Sequence, residues 1–235
     1  MRSCPPIHKV TALGAPRFPT RRNGWHHRGV PDDPVLVAGL EVAAALRRCA
    51  AEGFARIEGA IPPSALTAIR AEVDTGPFRS FGTSFGSVRQ EIDGYDVELP
   101  SERSPLLDAL SRELGRVVRR DGRGIRGLAT WRPNEVGITH YVEGSIGITP
   151  HLDGKWYRRL VVVATIYGRA PFAICGSRDP DDVVERWTAE PGDLLFMRGP
   201  GLGGVRDGRP FHLVGTPSGG ERLSLGIRMA FPRPS

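Results

Sequence analysis

The pattern of apolar and polar residues changes near residue 127 of this 235-residue chain. Before that point, residues 35–51 are rich in Ala and Leu, residues 61–73 begin with prolines, and residues 104–122 place Leu and Val on one broad face. These features predict three helices with apolar faces that pack on a core, and Gly53 to Ile57 predicts a strand between the first two. After residue 127 the pattern is one of short strands.

In the second half, short segments that are rich in β-branched residues or that alternate apolar and polar residues are separated by Gly and Pro. Strands are predicted at about 127–132, 136–142, 146–151, 159–167, 171–175, 185–189, 193–198, 210–215 and 221–230. Eight or nine such strands indicate a mainly β protein with flanking helices (α+β) and a jelly-roll core. We therefore expect residues 35–235 to form one domain, with helical support and a lid over residues 35–126 and the jelly-roll core over residues 127–230.

Residues 1–34 are rich in Pro, Gly and Arg and lack periodicity, which predicts a flexible basic arm. The arm carries six basic and two acidic side chains, so it holds most of the formal net charge of +6. A basic chain favours a nucleic-acid partner. Only two of the 32 basic residues are lysines, however, and the codon bias of a GC-rich gene would produce such an arginine excess without any selection for phosphate binding.

Composition also bears on the cellular setting. The longest apolar run, nine residues between Leu160 and Gly168, is far shorter than a membrane span, and the chain does not open on the apolar region of a signal peptide. The three cysteines are odd in number and have no metal-ligand spacing. A disulfide framework is therefore not expected, and a cytoplasmic protein without a membrane partner is predicted.

The last predicted strand has two chemically different faces. Leu223, Leu225 and Ile227 share one face, whereas Arg222, Ser224, Gly226 and Arg228 share the other. If the apolar face packs on the core, the arginine face meets either solvent or a polar cavity. The turn-rich residues 216–220 favour the cavity, because they would fold the strand that holds His212 back against the arginine strand.

A tripeptide His151-Leu-Asp153 lies where a short alternating segment ends, beside the β-branched run that follows it. Alone, the pattern His-x-Asp arises readily by chance. Together with His212 it supplies two imidazoles and one carboxylate, the set that binds Fe(II) on one face and leaves three coordination positions open. These three residues are the candidate catalytic metal ligands.

Residues 127–230 resemble the catalytic half of the Fe(II)/2-oxoglutarate-dependent dioxygenases, which have a double-stranded β-helix core. The similarity rests on His151-x-Asp153, His212 and Arg222-x-Ser224, and the strand from Arg222 to Arg228 is similar to the terminal strand of the AlkB-like branch. The chain departs from that branch in carrying Thr139 and Ser224 where AlkB-type enzymes usually carry Asn.

The resemblance implies two cofactors and a site for each. Fe(II) would be held by His151, Asp153 and His212. The co-substrate 2-oxoglutarate would be bound by Arg222 through its distal carboxylate, with Arg228 near its proximal end. Assisting contacts would come from Ser224, Tyr141 and Thr139. His140, between the last two, is expected to point away from the cavity.

Residues 76–100 are a long segment with several glycines and aromatic residues, which predicts a substrate lid. Its candidate substrate contacts are Phe85, Arg89 and Tyr95. A solvent-exposed loop arginine is an equally good interpretation of Arg89.

Three functional hypotheses follow from the resemblance. The preferred one is a dioxygenase that uses O2 to hydroxylate or desaturate a small molecule, in specialised metabolism, with release of succinate and CO2. The alternative is an AlkB-like oxidative demethylase of alkylated nucleic acid. A non-catalytic metal- or 2-oxoglutarate-binding module is the third, and the presence of all three ligands argues against it.

Overall fold

The computed structural model describes residues 34–232. The flexible arm predicted for residues 1–34 therefore lies, apart from Pro34, outside the described residues. The helices are α1 Ala43–Glu52, α2 Pro63–Val73 and α3 Pro105–Asp121, with a short 3₁₀ helix at Leu202–Gly204. The strands are β1 Phe54–Ile57, β2 Arg79–Ser80, β3 Ser84–Phe85, β4 Val88–Arg89, β5 Asp93–Glu98, β6 Glu135–Tyr141, β7 Ile148–His151, β8 Tyr157–Cys175, β9 Val183–Ala189, β10 Leu194–Arg198, β11 Phe211–Val214 and β12 Ser218–Ala230.

Two antiparallel sheets form the body of the protein, as the jelly-roll prediction requires. The larger has the order β1-β10-β8-β12-β6-β5-β2, and the smaller has the order β7-β11-β8-β9. Strand β8 belongs to both because it changes sheet near Gly168, where φ is +70° and a side chain would clash with the carbonyl of Glu221. β3 and β4 form a separate hairpin.

Two apolar clusters flank the larger sheet. The first packs the three helices against it and includes Leu223, Leu225 and Ile227 of β12, all fully buried. The second lies between the two sheets and includes Tyr157 and Phe172. Because successive side chains of a strand alternate in direction, the arginine face of β12 must point between the sheets. No helix within residues 34–232 has the length and apolar content of a membrane crossing.

Several predicted boundaries are wrong, for local reasons. Residues 127–132 form turns instead of a strand, with Leu128 and Trp131 both fully buried three positions apart. The strands predicted at 159–167 and 171–175 are one strand, β8. The first helix begins only at Ala43, after a turn at Gly39 with φ +70°.

The predicted pairing of the strands that hold His212 and Arg222 is also wrong. β11 pairs with β7 and β8, whereas β12 pairs with β6 and β8, so the turn between them crosses from one sheet to the other. The lid prediction for residues 76–100 needs a similar correction. β5 is an internal strand of the larger sheet, between β2 and β6, and the separate hairpin covers only Ser84 to Arg89.

Candidate metal centre and its cavity

His151 and His212 face each other on neighbouring strands. They are register partners in the antiparallel pair β7 and β11, and their ring centroids are 4.2 Å apart. Asp153 follows β7 directly, and its Oδ1 is 3.9 Å from Nε2 of His212. One potential ligand atom from each of the three residues lies within 4.8 Å of the other two. The structure thus brings together the three ligands that the sequence predicts.

Both imidazoles are oriented by backbone carbonyls. Nδ1 of His151 is 3.0 Å from the carbonyl oxygen of Thr149, and Nδ1 of His212 is 3.2 Å from that of Pro210. A proton on each Nδ1 leaves each Nε2 with a lone pair for a metal. Burial, reinforced by the neighbouring His212, lowers the pKa of His151 to about 4, so its ring is neutral near pH 7. Two imidazoles and one carboxylate fit Fe(II).

Arg209 organises the third ligand and was not predicted from the sequence. Its side chain is almost fully buried, pairs with Asp207 at 2.8 Å, and donates a hydrogen bond to the backbone carbonyl of Asp153. The next residue, Pro210, supplies the carbonyl that orients His212. One short segment before β11 therefore positions two of the three ligands. Only its proximity to His212 in the chain could have hinted at this.

A cavity of about 100 Å³ extends from the three ligands to Arg222. Arg222 is fully buried, and burial lowers its pKa from the ordinary value. Its Nη2 donates to Oγ1 of Thr165 at 3.0 Å and its Nη1 donates to Oγ of Ser224 at 3.3 Å. Its Nε has no hydrogen-bond partner, and no carboxylate within residues 34–232 pairs with it. A buried guanidinium without a counter-ion carries a large desolvation cost, which pairing with an anion would offset.

The other predicted co-substrate residues line the same cavity. Tyr141 and Arg222 are register partners, as are Thr139 and Ser224, so all four lie side by side on β6 and β12. The guanidinium carbon of Arg222 is 5.1 Å from the centroid of the Tyr141 ring, whose hydroxyl has its pKa raised by burial. Thr165 was missed, because a threonine within a β-branched run carries no sequence signal.

Arg228 differs from Arg222 although both point between the sheets. It forms ion pairs with Asp96 at 2.7 Å and with Glu135 at 3.4 Å, and it stacks on Tyr157 with 4.3 Å to the ring centroid. Two carboxylates thus already neutralise it. The prediction that it binds the proximal end of 2-oxoglutarate is therefore less well supported than the role of Arg222.

Solved structures share this arrangement of strands. A prolyl-4-hydroxylase from Pseudomonas putida matches with a TM-score of 0.55 and 19% identity, over 81% of this chain and 99% of its own. A 2OG-Fe(II) oxygenase family oxidoreductase from Burkholderia pseudomallei matches with a TM-score of 0.55 and 16% identity, over 82% and 92%. OsALKBH1 matches with a TM-score of 0.52 and 14% identity, over 75% and 98%. The chain has the 2OG-Fe(II) oxygenase fold.

These identities establish the fold alone. No protein-family model matches the sequence. No curated protein matches it either.

A second, more open cavity of about 340 Å³ continues outward from His151 in this oxygenase fold. Phe85, predicted as a substrate contact, lines it from the hairpin and is 79% exposed. Arg89 does not line it. The backbone N–H of Arg89 donates to Oγ1 of Thr149 at 2.9 Å, so this residue fixes the hairpin beside β7.

Tyr95 is not a substrate contact, and that prediction is wrong. Its ring packs in the core beneath the helices, edge-on to Phe78, and its hydroxyl donates to the carbonyl of Val73 at 2.8 Å. Because successive side chains of β5 point in opposite directions, the next residue, Asp96, points into the outer cavity instead. The prediction for His140 is confirmed, since its ring lies outside the cavity near Phe78.

Proposed function

We propose that this protein is an Fe(II)- and 2-oxoglutarate-dependent dioxygenase that hydroxylates or desaturates a small molecule and releases succinate and CO2. The observation that carries the proposal is Arg222. A fully buried cation that has no carboxylate partner within residues 34–232 lies in the same small cavity as two histidines and an aspartate that fit Fe(II). A dicarboxylate that also chelates the metal would satisfy both ends of this cavity.

The roles of the residues follow from their positions. His151, Asp153 and His212 would hold Fe(II), which, with 2-oxoglutarate and O2, supplies the oxidation of a substrate C–H bond. Arg222 would bind the distal carboxylate of 2-oxoglutarate through its planar guanidinium, assisted by hydroxyl groups on the same and the neighbouring strands. Those hydroxyl groups belong to Ser224, Tyr141 and Thr139.

Apolar side chains enclose the site from both sheets. Phe172 stacks on the His212 ring with an interplanar angle of 2°, and Val161, Val163 and Val214 complete the wall. Excluding water strengthens the electrostatic interactions of the buried groups and limits side reactions. These apolar walls therefore suit an oxidation from which water must be excluded.

The outer cavity supports a small-molecule substrate. Its volume of about 340 Å³ lies at the lower end of the range for small-ligand sites, and phenylalanines contribute to its wall. A role in specialised metabolism and a cytoplasmic location remain proposals from the sequence.

The alternative function is oxidative demethylation of alkylated nucleic acid. It is supported by the spacing of Arg222 and Arg228 and by the similarity in fold to OsALKBH1. Such an enzyme would bind DNA or RNA with a steep salt dependence, each phosphate contact adding about 0.7–0.9 to the log–log slope. Deleting residues 1–34 should flatten that slope if the basic arm makes those contacts. Tight, salt-sensitive binding with repair of a methylated base would favour this alternative.

The proposed reaction is tested by substrate-free succinate formation from 2-oxoglutarate under air. The purified protein should form succinate only when Fe(II) is supplied, and Asp153→Ala should abolish the activity. His140→Ala is the matched control, because this histidine lies outside the cavity, and it should retain activity. Undiminished turnover by Asp153→Ala would contradict the proposal.

A further inference from the structure

Two charged residues, Asp96 and Arg228, line the outer cavity, and a third, Glu135, pairs with Arg228 from outside the lining. Asp96 lines the cavity, and Arg228 lines it while pairing with both Asp96 and Glu135. One cation thus faces two carboxylates. The carboxylate of Glu135 is largely buried, whereas the Asp96 side chain is 36% exposed. The excess negative charge is therefore available to a ligand at Asp96.

The charges of the inner cavity do not compensate this excess negative charge. With Fe(II) and 2-oxoglutarate in place, the metal dication and Arg222 together balance Asp153 and the two carboxylates of the co-substrate. One uncompensated negative charge would then remain in the group formed by Asp96, Arg228 and Glu135, of which Asp96 and Arg228 line the outer cavity. A substrate with a single positive charge would neutralise it.

Within the described part of the chain, one oxygen of Asp96 is engaged. Oδ1 accepts a hydrogen bond from Nη2 of Arg228 at 2.7 Å, and the structure shows no second partner for this carboxylate within residues 34–232. Two cations beside β5 and the hairpin are directed elsewhere. Arg79 lies 5.9 Å from the centroid of the Phe81 ring, Arg178 donates to Oγ of Ser87, and neither lines the cavity.

The remaining wall suits an apolar body next to a positive charge. Phe81, Phe85, Ile92 and Tyr157 line the cavity around Asp96. Aromatic rings attract organic cations through their negative faces and also bury apolar surface. A carboxylate with one oxygen that has no partner within residues 34–232, in a cavity that aromatic residues also line, therefore favours a protonated amine over a neutral or anionic molecule of the same shape.

We propose that the outer cavity binds a small organic cation, an amine or other basic nitrogen compound with an apolar body, and that Asp96 selects for its charge. The proposal rests on the proposed function, because it takes this cavity as the substrate site. It also makes Asp96 a specificity-determining residue that the metal ligands and the co-substrate do not require.

The test compares three molecules of nearly equal shape: cyclohexylmethylamine, cyclohexylmethanol and cyclohexanecarboxylate. Each is titrated calorimetrically into the protein under anaerobic conditions, with and without Fe(II) and 2-oxoglutarate. The amine should bind at least about tenfold more tightly than the alcohol, as a charge-assisted hydrogen bond predicts, and the carboxylate should bind most weakly.

Three variants isolate the role of Asp96. Asp96→Asn should remove the preference for the amine and leave binding of the alcohol unchanged, which also shows that the cavity is intact. Asp96→Glu should keep the preference. Asp93→Asn is the matched control, because Asp93 is on the same strand but does not line this cavity, and it should behave like the unaltered protein.

Three results would overturn the proposal: tightest binding of the carboxylate, an unchanged preference for the amine in Asp96→Asn, or no binding of any of the three molecules. The visible absorption band of the Fe(II)–2-oxoglutarate chelate distinguishes failure of the proposal about Asp96 from failure of the proposed function. If the band forms while the amine shows no preference, only the proposal about Asp96 is wrong. If the band does not form, the proposed function fails. The titration without metal then still shows whether the cavity binds the amine more tightly than the alcohol.

Discussion

The inner and outer parts of the cavity differ in how their side chains are held. At the inner end, Arg222 and His212 are buried between two sheets, and strand pairing fixes their positions. At the outer end, Phe85 is 79% exposed on a hairpin of two-residue strands. The two histidines that would meet a metal lie on paired strands and Asp153 follows one of these strands, whereas the groups that would select a substrate lie on a short hairpin and one strand face. Substitutions should therefore have different consequences at the two ends.

The largest effect is expected at the metal ligands. His151→Ala, Asp153→Ala and His212→Ala should each nearly abolish Fe(II) retention and succinate formation, because three protein ligands leave no redundancy. Metal content after gel filtration and succinate yield are the measurements. His140→Ala should match the unaltered protein in both. Normal Fe(II) retention in any of the three ligand variants would remove that residue from the site.

A smaller effect is expected at the co-substrate anchor. Arg222→Lys should weaken 2-oxoglutarate binding while Fe(II) affinity is kept, because an ammonium group cannot reproduce the forked hydrogen bonds of a guanidinium. Such charge-assisted bonds contribute on the order of 1.5–3 kcal/mol, which corresponds to about ten- to a hundredfold in affinity. The half-saturation concentration of 2-oxoglutarate in succinate formation measures the loss of affinity.

Arg228→Lys is the comparison for that experiment. Because two carboxylates already neutralise Arg228, its replacement should change the half-saturation concentration less than Arg222→Lys does. The reverse order would assign the anchor to Arg228.

His151 should also make the metal-free protein sensitive to acid. The pKa of His151 is lowered from 6.5 to about 4 by burial, so the folded state takes up its proton at lower pH than the unfolded chain does. The free energy of unfolding should therefore fall as the pH decreases from about 6.5 towards about 4, and this contribution should be constant above that window. Urea unfolding of His151→Gln across this range should lack the contribution, and identical pH profiles would contradict the neutral ring.

The smallest effect on the basic reaction is expected at the hairpin. Phe85→Ala and Arg89→Ala should leave substrate-free succinate formation within about twofold, since neither side chain lines the inner cavity. With a substrate present, Phe85→Ala should reduce the fraction of turnover that yields product, whereas Arg89→Ala keeps the backbone contact to Thr149 and should not. A large loss of substrate-free turnover would place the hairpin within the inner machinery.

The sequence predicted the inner end well, because its signals are local. The alternation from Arg222 to Arg228 indicated that one face is apolar and the other polar, and His151-x-Asp153 lay at a strand end. The sequence did not predict which strands pair when they are far apart in the chain. The wrong pairing of the strands of His212 and Arg222 still brought these two residues close, because both strands flank β8 in the folded protein.

The outer end was less predictable for a physical reason. Tyr95 and Asp96 are adjacent, and which of them faces the cavity depends on the register of β5 against β6, where Tyr95 is opposite Ile138. A shift by one residue would exchange them, and nothing near residue 95 fixes that register. Thr165 and Arg209 were missed for a similar reason, since their partners lie 57 and 56 residues away.

The central claim is that one cavity holds both Fe(II) and 2-oxoglutarate. Anaerobic titration of the protein with Fe(II) and 2-oxoglutarate tests it most directly, because the chelate has a visible charge-transfer band that neither component has alone. We predict a saturable band with one equivalent of each, lost in Asp153→Ala and requiring more 2-oxoglutarate in Arg222→Lys. A protein that binds Fe(II) but gives no band at saturating 2-oxoglutarate would contradict the account.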